Sequence, residues 1–124
     1  WVSYLNDPQS AVASKLRTIE DRHIWLCSVV AAELYHGANK SSRVRENLAL
    51  VTSLVDRFRS IPFDEAAARI YGHIRSDLES KGQRIGPYDL LIAAVALSRD
   101  LTLVTHNTGE FGRVPGLRVE DWEV

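Results

Sequence analysis

The sequence predicts an α/β fold, a three-layer sandwich with a mostly parallel central sheet. Three observations carry that expectation. Short apolar runs, "HIWLCSV", "RSIPF", "LTLVT" and "GLRVEDW", alternate with segments of helical periodicity, the order of strand and crossover helix. One of those helical segments carries eight consecutive apolar residues, Leu90 to Leu97, and must lie inside a fold. The 124 residues suit a single domain spanning 1–124, long enough to bury roughly two-thirds of the surface of the unfolded chain.

From Asp7-Pro8 onward, Ala11, Val12, Leu16 and Ile19 recur at helical spacing, which predicts a helix over about 9–20. "HIWLCSV" then reads as a buried strand. Ser28 ends it and can cap a helix over about 29–38, closed by Gly37-Ala38-Asn39. Val44, Leu48, Val51, Leu54, Val55 and Phe58 lie on one stripe of a helix over about 42–58. After the short strand "RSIPF", Asp64 can cap a helix whose face is Ala67, Ile70, Tyr71, Ile74 and Leu78, and "SKGQRIGP" breaks it. Gly86-Pro87 is a helix start, since proline at the first helical position lacks only an amide that would be unpaired there. "LTLVT" and "GLRVEDW" are the last two strands.

Composition removes several classes of function. Cys27 is the only cysteine, so neither an internal disulfide nor a cysteine-cluster zinc site is available, and a reducing, cytoplasmic setting is the expectation. No signal peptide or apolar membrane span is visible. Fifteen Lys and Arg against sixteen Asp and Glu give no global pull toward nucleic acid, so such a partner would need a local basic patch. A phosphate-binding loop, a dinucleotide fingerprint and a nucleophile elbow are all missing, and His23, His36, His73 and His106 lack zinc spacing. "ELYH" supplies a single Glu-x-x-His where a di-iron bundle needs two.

What remains is a set of acids at strand ends and helix starts. In α/β sheets, sites form outside the carboxyl ends of the strands, and "CSVVAAEL", "GPYDLL" and "LVTHNTGEF" fall there. Asp89, third in its helix, is explained by the helix dipole, yet the apolar segment behind it carries it to the edge of the core. Glu33 sits in mid-helix beside Val29 and Val30, either as a site residue or as a paired or exposed acid. Asn107 and Glu110 read first as a capping box, with a site role as the alternative, and His106 as a surface histidine. Clustered carboxylates suit Mg²⁺ or Mn²⁺, which favour oxygen ligands and, beside a phosphodiester, support its hydrolysis.

The blocks "SVVAAELYHGANKS", "ENLALV", "IPFDEAAARIYGHIRSDLESKGQRIGPYDLLIAAVAL" and "LTLVTHNTGEFGRVPGLRVEDW" resemble the PIN-domain ribonuclease toxins of VapC type across nearly the whole chain. The resemblance implies a metal-dependent endoribonuclease of a toxin–antitoxin module, acting on RNA, restrained by a small VapB-like antitoxin and forming homodimers. It implies a quartet of acids holding Mg²⁺ or Mn²⁺, with Glu33 and Asp89 as two of them. Asn107 matches a position that is Asp in many members, with Glu110 as a nearby substitute. The family's first catalytic aspartate lies in an N-terminal "L-D-T-N" strand, whereas this sequence starts at Trp1 and Asp7 is not its equivalent. The expectation is therefore that the natural protein has residues before Trp1, and that the 124-residue form cleaves RNA weakly or not at all. Lys40, Arg43 and Arg45 follow Glu33, and Arg75, Lys81 and Arg84 precede Asp89, as a candidate basic rim for RNA. The alternative reading is a PIN-like binding module for RNA or an antitoxin, without catalysis.

Overall fold

The computed structural model describes Trp1 and residues 9–123, which group into two compact units, Trp1–Pro62 and Phe63–Val124. Asp7-Pro8, just ahead of the first expected helix, lies outside the described residues.

In the first unit, α1 (Ala11–Leu16) is capped by Ser10, whose Oγ accepts from the Ala13 amide at 3.1 Å. It is shorter than the expected 9–20. The Thr18 hydroxyl bonds to the Lys15 carbonyl at 2.6 Å, which favours turning out of the helix once Ala13 and Leu16 are buried. A 3₁₀ turn, Asp21–His23, follows. β1 (Trp25–Cys27) runs directly into α2 (Ser28–Lys40), so Cys27 and not Ser28 occupies the cap position. Nor does Gly37 close this helix. Ala38 is buried one residue later, the Asn39 amide bonds back to the Tyr35 carbonyl at 2.9 Å, and the chain leaves at Ser41, whose Oγ donates to the Ala38 carbonyl. The long amphipathic helix is α3 (Val44–Arg57), burying Val51 and Leu54, and it leads through the buried Phe58 to β2 (Arg59–Ile61). β1 and β2 pair in parallel, Leu26 opposite Ser60. Arg57 grips Asp21 through two bonds of 2.8 and 3.0 Å, fastening the 3₁₀ turn to the end of α3.

In the second unit, α4 (Glu65–Ser80) starts as expected at Asp64, whose Oδ1 accepts from the Ala67 amide at 3.0 Å. It buries Ala67, Ile74 and Leu78 and packs against α5 (Pro87–Ser98). Gly82, with φ +68°, closes α4 through a bond from the Gln83 amide to the Leu78 carbonyl. α5 starts at the Gly86 cap with Pro87 first, and Leu90 and Ile92 to Ala96 are buried. Its end repeats the same closure without glycine. Asp100 takes φ +53°, and Arg118 holds it through the Asp100 carboxylate at 2.8 Å and its carbonyl at 2.7 Å. β3 (Leu103–Val104), the short α6 (Thr108–Phe111) and β4 (Val119–Glu120) complete the unit. β3 and β4 are parallel, Leu103 opposite Val119. The α/β class and the parallel pairing agree with the sequence. Among the described residues, no helix is long and apolar enough to cross a membrane.

Candidate functional site

The second unit brings three of the expected residues together. α5 delivers Asp89 in its first turn, half-buried, because Pro87 fixes the helix start and the apolar residues behind it are fixed in the core. Asn107 and Glu110 come from the segment after β3. The Asn107 amide donates to Asp89 Oδ2 at 3.3 Å and to Glu110 Oε2 at 2.8 Å. The other Glu110 oxygen accepts from the Gly86 amide at the start of α5.

This arrangement replaces the capping box. Asn107 makes no side-chain cap bond to α6, and its backbone N–H donates to the Thr105 hydroxyl at 3.1 Å. A four-residue helix has little macrodipole or cooperativity to offer a cap, whereas the open Gly86 amide at the start of the twelve-residue α5 is a stronger donor to Glu110. The Gly86 amide, then the Asn107 amide, hold the Glu110 carboxyl below its ordinary range. Partial burial opposes them, while the Arg113 charge and a hydrogen bond with the Asp89 carboxyl add to them. These donors keep Glu110 ionised to lower pH than an ordinary glutamate.

Two carboxylates therefore face one amide N–H₂ group. That group is a weak stand-in for a cation: it supplies positive hydrogen to both oxygens while carrying no net charge. Reversing the amide would turn its carbonyl oxygen toward the same point, giving three oxygen donors, the set that Mg²⁺ and Mn²⁺ favour.

Glu33 belongs to the first unit and is exposed. α2 turns Ala31, Leu34 and Ala38 inward, which leaves Glu33 on the outer stripe with His36, Gly37 and Lys40, so a reading that requires a buried acid there does not hold. Of the basic rim, Lys40, Arg45 and Arg84 are exposed. Arg43 lies 3.5 Å from Glu46, Arg75 is 2.9 Å from Glu79 and Lys81 is 3.0 Å from Asp77, each an exposed pair on its own helix. Two participants went unnoticed in the sequence. The Gly86 amide had a signal, since a glycine before N1 leaves first-turn amides open. Arg113, which bonds the Arg84 carbonyl at 2.7 Å and biases Glu110, had none.

Parallel strand pairs with carboxylates gathered at a strand's end and a helix's start define an α/β protein with an oxygen-donor site. The chain belongs to the PIN-domain family, in its VapC branch: a family model for the PIN domain matches residues 1–117. It is similar to the tRNA(fMet)-specific endonuclease VapC of Shigella flexneri, 46% identical over 97 residues that span 78% of this chain and 74% of that protein. It is 40% identical over 100 residues to ribonuclease VapC2 of Rickettsia felis, covering 81% and 75% of the two chains. Among solved structures, DNA-bound VapBC from Salmonella typhimurium superposes with a TM-score of 0.91 at 36% identity, over 98% of this chain and 91% of that one.

Proposed function

We propose that the protein is a Mg²⁺- or Mn²⁺-dependent endoribonuclease toxin, that its substrate is a transfer RNA of the initiator class, and that a VapB-like antitoxin restrains it. The observation that carries the reading is the convergence of Asp89 and Glu110 on the Asn107 amide. The substrate class and the antitoxin follow the names of the relatives, the Shigella flexneri endonuclease and the Salmonella typhimurium VapBC complex.

Asp89 and Glu110 would hold the metal, with Asn107 contributing its carbonyl oxygen directly or through water. When bound, the metal lowers the pKa of a coordinated water and offsets charge on the scissile phosphate. The residues of the chain supply the rest. Asp89 is positioned by a helix locked in the core, so the donor that must be most exact is the one with the least freedom. Glu110, kept ionised by Gly86 and Asn107, remains a ligand at pH values where an ordinary carboxylate begins to protonate. Lys40, Arg43 and Arg84 are offered as contacts to the RNA backbone. Glu33 is proposed as a further acid of the activity and is tested on its own by Glu33→Gln. A homodimer is proposed as the working form of the toxin.

The test is cleavage of initiator transfer RNA by the natural full-length protein freed of antitoxin, with Mn²⁺ or with EDTA, beside Asp89→Asn. Cleavage that requires the metal and falls at least about a hundredfold in the variant is expected, since orientation and charge stabilisation at the phosphate are lost together. Cleavage in EDTA, or an unchanged rate for Asp89→Asn, overturns the assignment. Binding of RNA without any cleavage would favour the binding-module reading.

A further inference from the structure

The parallel pairing of β3 and β4 sends two chain segments out of the sheet side by side. The ladder extends one step past the strands, with the Thr105 amide on the Glu120 carbonyl at 2.9 Å, so His106 and Asp121 emerge as neighbours. Asp121 then shapes the chain beyond it. Its Oδ1 accepts from the Glu123 amide at 2.9 Å, a turn that brings the Glu123 carboxylate back toward the histidine. As a result His106 Nδ1 lies 3.1 Å from Asp121 Oδ2 and also 3.1 Å from Glu123 Oε2. The three donor atoms lie within 4.8 Å of one another.

We propose that His106, Asp121 and Glu123 form a site for a divalent transition metal of the Zn²⁺ type, separate from the group around Asp89. Donors held about 2.0–2.2 Å from one ion, at angles between octahedral and tetrahedral, are themselves about 2.8–3.6 Å apart. Both carboxylate distances to the ring nitrogen match that separation. A single Nδ1 proton serves two carboxylates poorly, because one N–H points at one acceptor, whereas a cation between the three atoms satisfies both. One imidazole nitrogen with two carboxylates is a mixed set that suits Zn²⁺ better than Mg²⁺, which prefers oxygen alone and keeps its waters. The donors differ in access: the Asp121 side chain is 14% exposed and that of His106 is 68%. An ion can therefore enter from the histidine side and be held against the sheet. Because Asn107 follows His106 directly, the bound metal would also fix the segment that places Asn107 between Asp89 and Glu110.

The site depends on no part of the nuclease reading, and its test measures metal and not RNA. The metal-free chain is titrated with Zn²⁺ alone in millimolar Mg²⁺, with calorimetry for stoichiometry and ¹⁵N shifts of the histidine rings for the ligating atom. One equivalent is expected that Mg²⁺ does not displace and that moves the His106 Nδ1 resonance. His106→Ala and Asp121→Asn should each weaken it by at least about tenfold, the lower end of what losing even an outer-shell partner costs. The double variant Asp89→Asn, Glu110→Gln should retain it. The proposal is overturned by any of four results: no such equivalent, retention at full affinity in His106→Ala, loss in the Asp89 and Glu110 double variant, or an unmoved Nδ1 resonance. The ring-nitrogen measurement needs no variant to fold, and an unmoved resonance would leave the three groups as a hydrogen-bonded cluster without metal.

Discussion

Replacing Asn107 by Asp turns the amide between two carboxylates into a third carboxylate. An Asp oxygen at the position of Asn107 Nδ2 stands 2.8 Å from Glu110 Oε2 and 3.3 Å from Asp89 Oδ2. The site is open to solvent, so a water-like dielectric is the appropriate one, and the two repulsions come to about 1.5 and 1.3 kcal/mol. Rotation of the new side chain away from its neighbours relieves part of this, leaving a loss of about 1–2.5 kcal/mol at pH 7 without metal. For a chain of this size that is a fall in Tm of roughly 4–15 °C. Crowding raises the proton affinity of the group as a whole, and a raised carboxyl pKa favours the folded variant as the pH drops. The deficit should therefore shrink on acidification toward pH 4. Millimolar Mn²⁺ should also remove it, raising the Tm of Asn107→Asp more than that of the natural sequence. The assay is thermal unfolding by circular dichroism with EDTA or Mn²⁺ across pH 4–8. Equal stability of the two proteins in EDTA, or equal Mn²⁺ shifts, would refute the view that this group is a cation site held by a neutral amide.

Glu110→Gln probes the opposite titration. The folded pKa of Glu110 lies below its ordinary value of 4.5, so its ionised form contributes stability that is complete above that value and is lost as the pH falls through the folded one. Urea unfolding should show a gap between natural and variant proteins that is constant from about pH 8 to 6 and closes in acid; a gap that widens in acid contradicts the assignment. Val95→Ala removes two methyl groups from a side chain 1% exposed and should cost about 1.5–3 kcal/mol by chemical denaturation. Asp64→Ala should lower the Tm through loss of the α4 cap, and Asp64→Asn, which still accepts from the Ala67 amide, should recover most of it.

Where sequence and structure agree, the cause is local. The cap at Asp64, the start at Gly86-Pro87 and the buried stretch from Leu90 follow from residues within one or two turns of each other. They disagree where a distant partner or a neighbouring side chain decides. The 3₁₀ turn at Asp21–His23 is fastened by Arg57, thirty-six positions from Asp21. Gly37 looks like a helix stop in isolation, yet burial of Ala38 and the Asn39 bond to Tyr35 extend the helix past it. Asp100 adopts a left-handed turn that a reader of sequence would reserve for Gly or Asn, because Arg118, eighteen residues on, holds both its carboxylate and its carbonyl.

The site divides along the same line. The residue types of Asp89, Asn107 and Glu110 pointed to oxygen-donor chemistry, but the local rule for Asn107 and Glu110, a capping box, favoured another reading. What decides between them is that a four-residue helix offers Glu110 less than the first turn of α5 does, twenty-four residues back at Gly86. That choice has a mechanical consequence. By capping α5, Glu110 ties the segment after β3 to the helix that carries Asp89, so both acids are referenced to one rigid element and Asn107 spans the gap between them. Loosening α5 in the core should therefore disturb the two carboxylates together, whereas loosening α6 should disturb Glu110 alone.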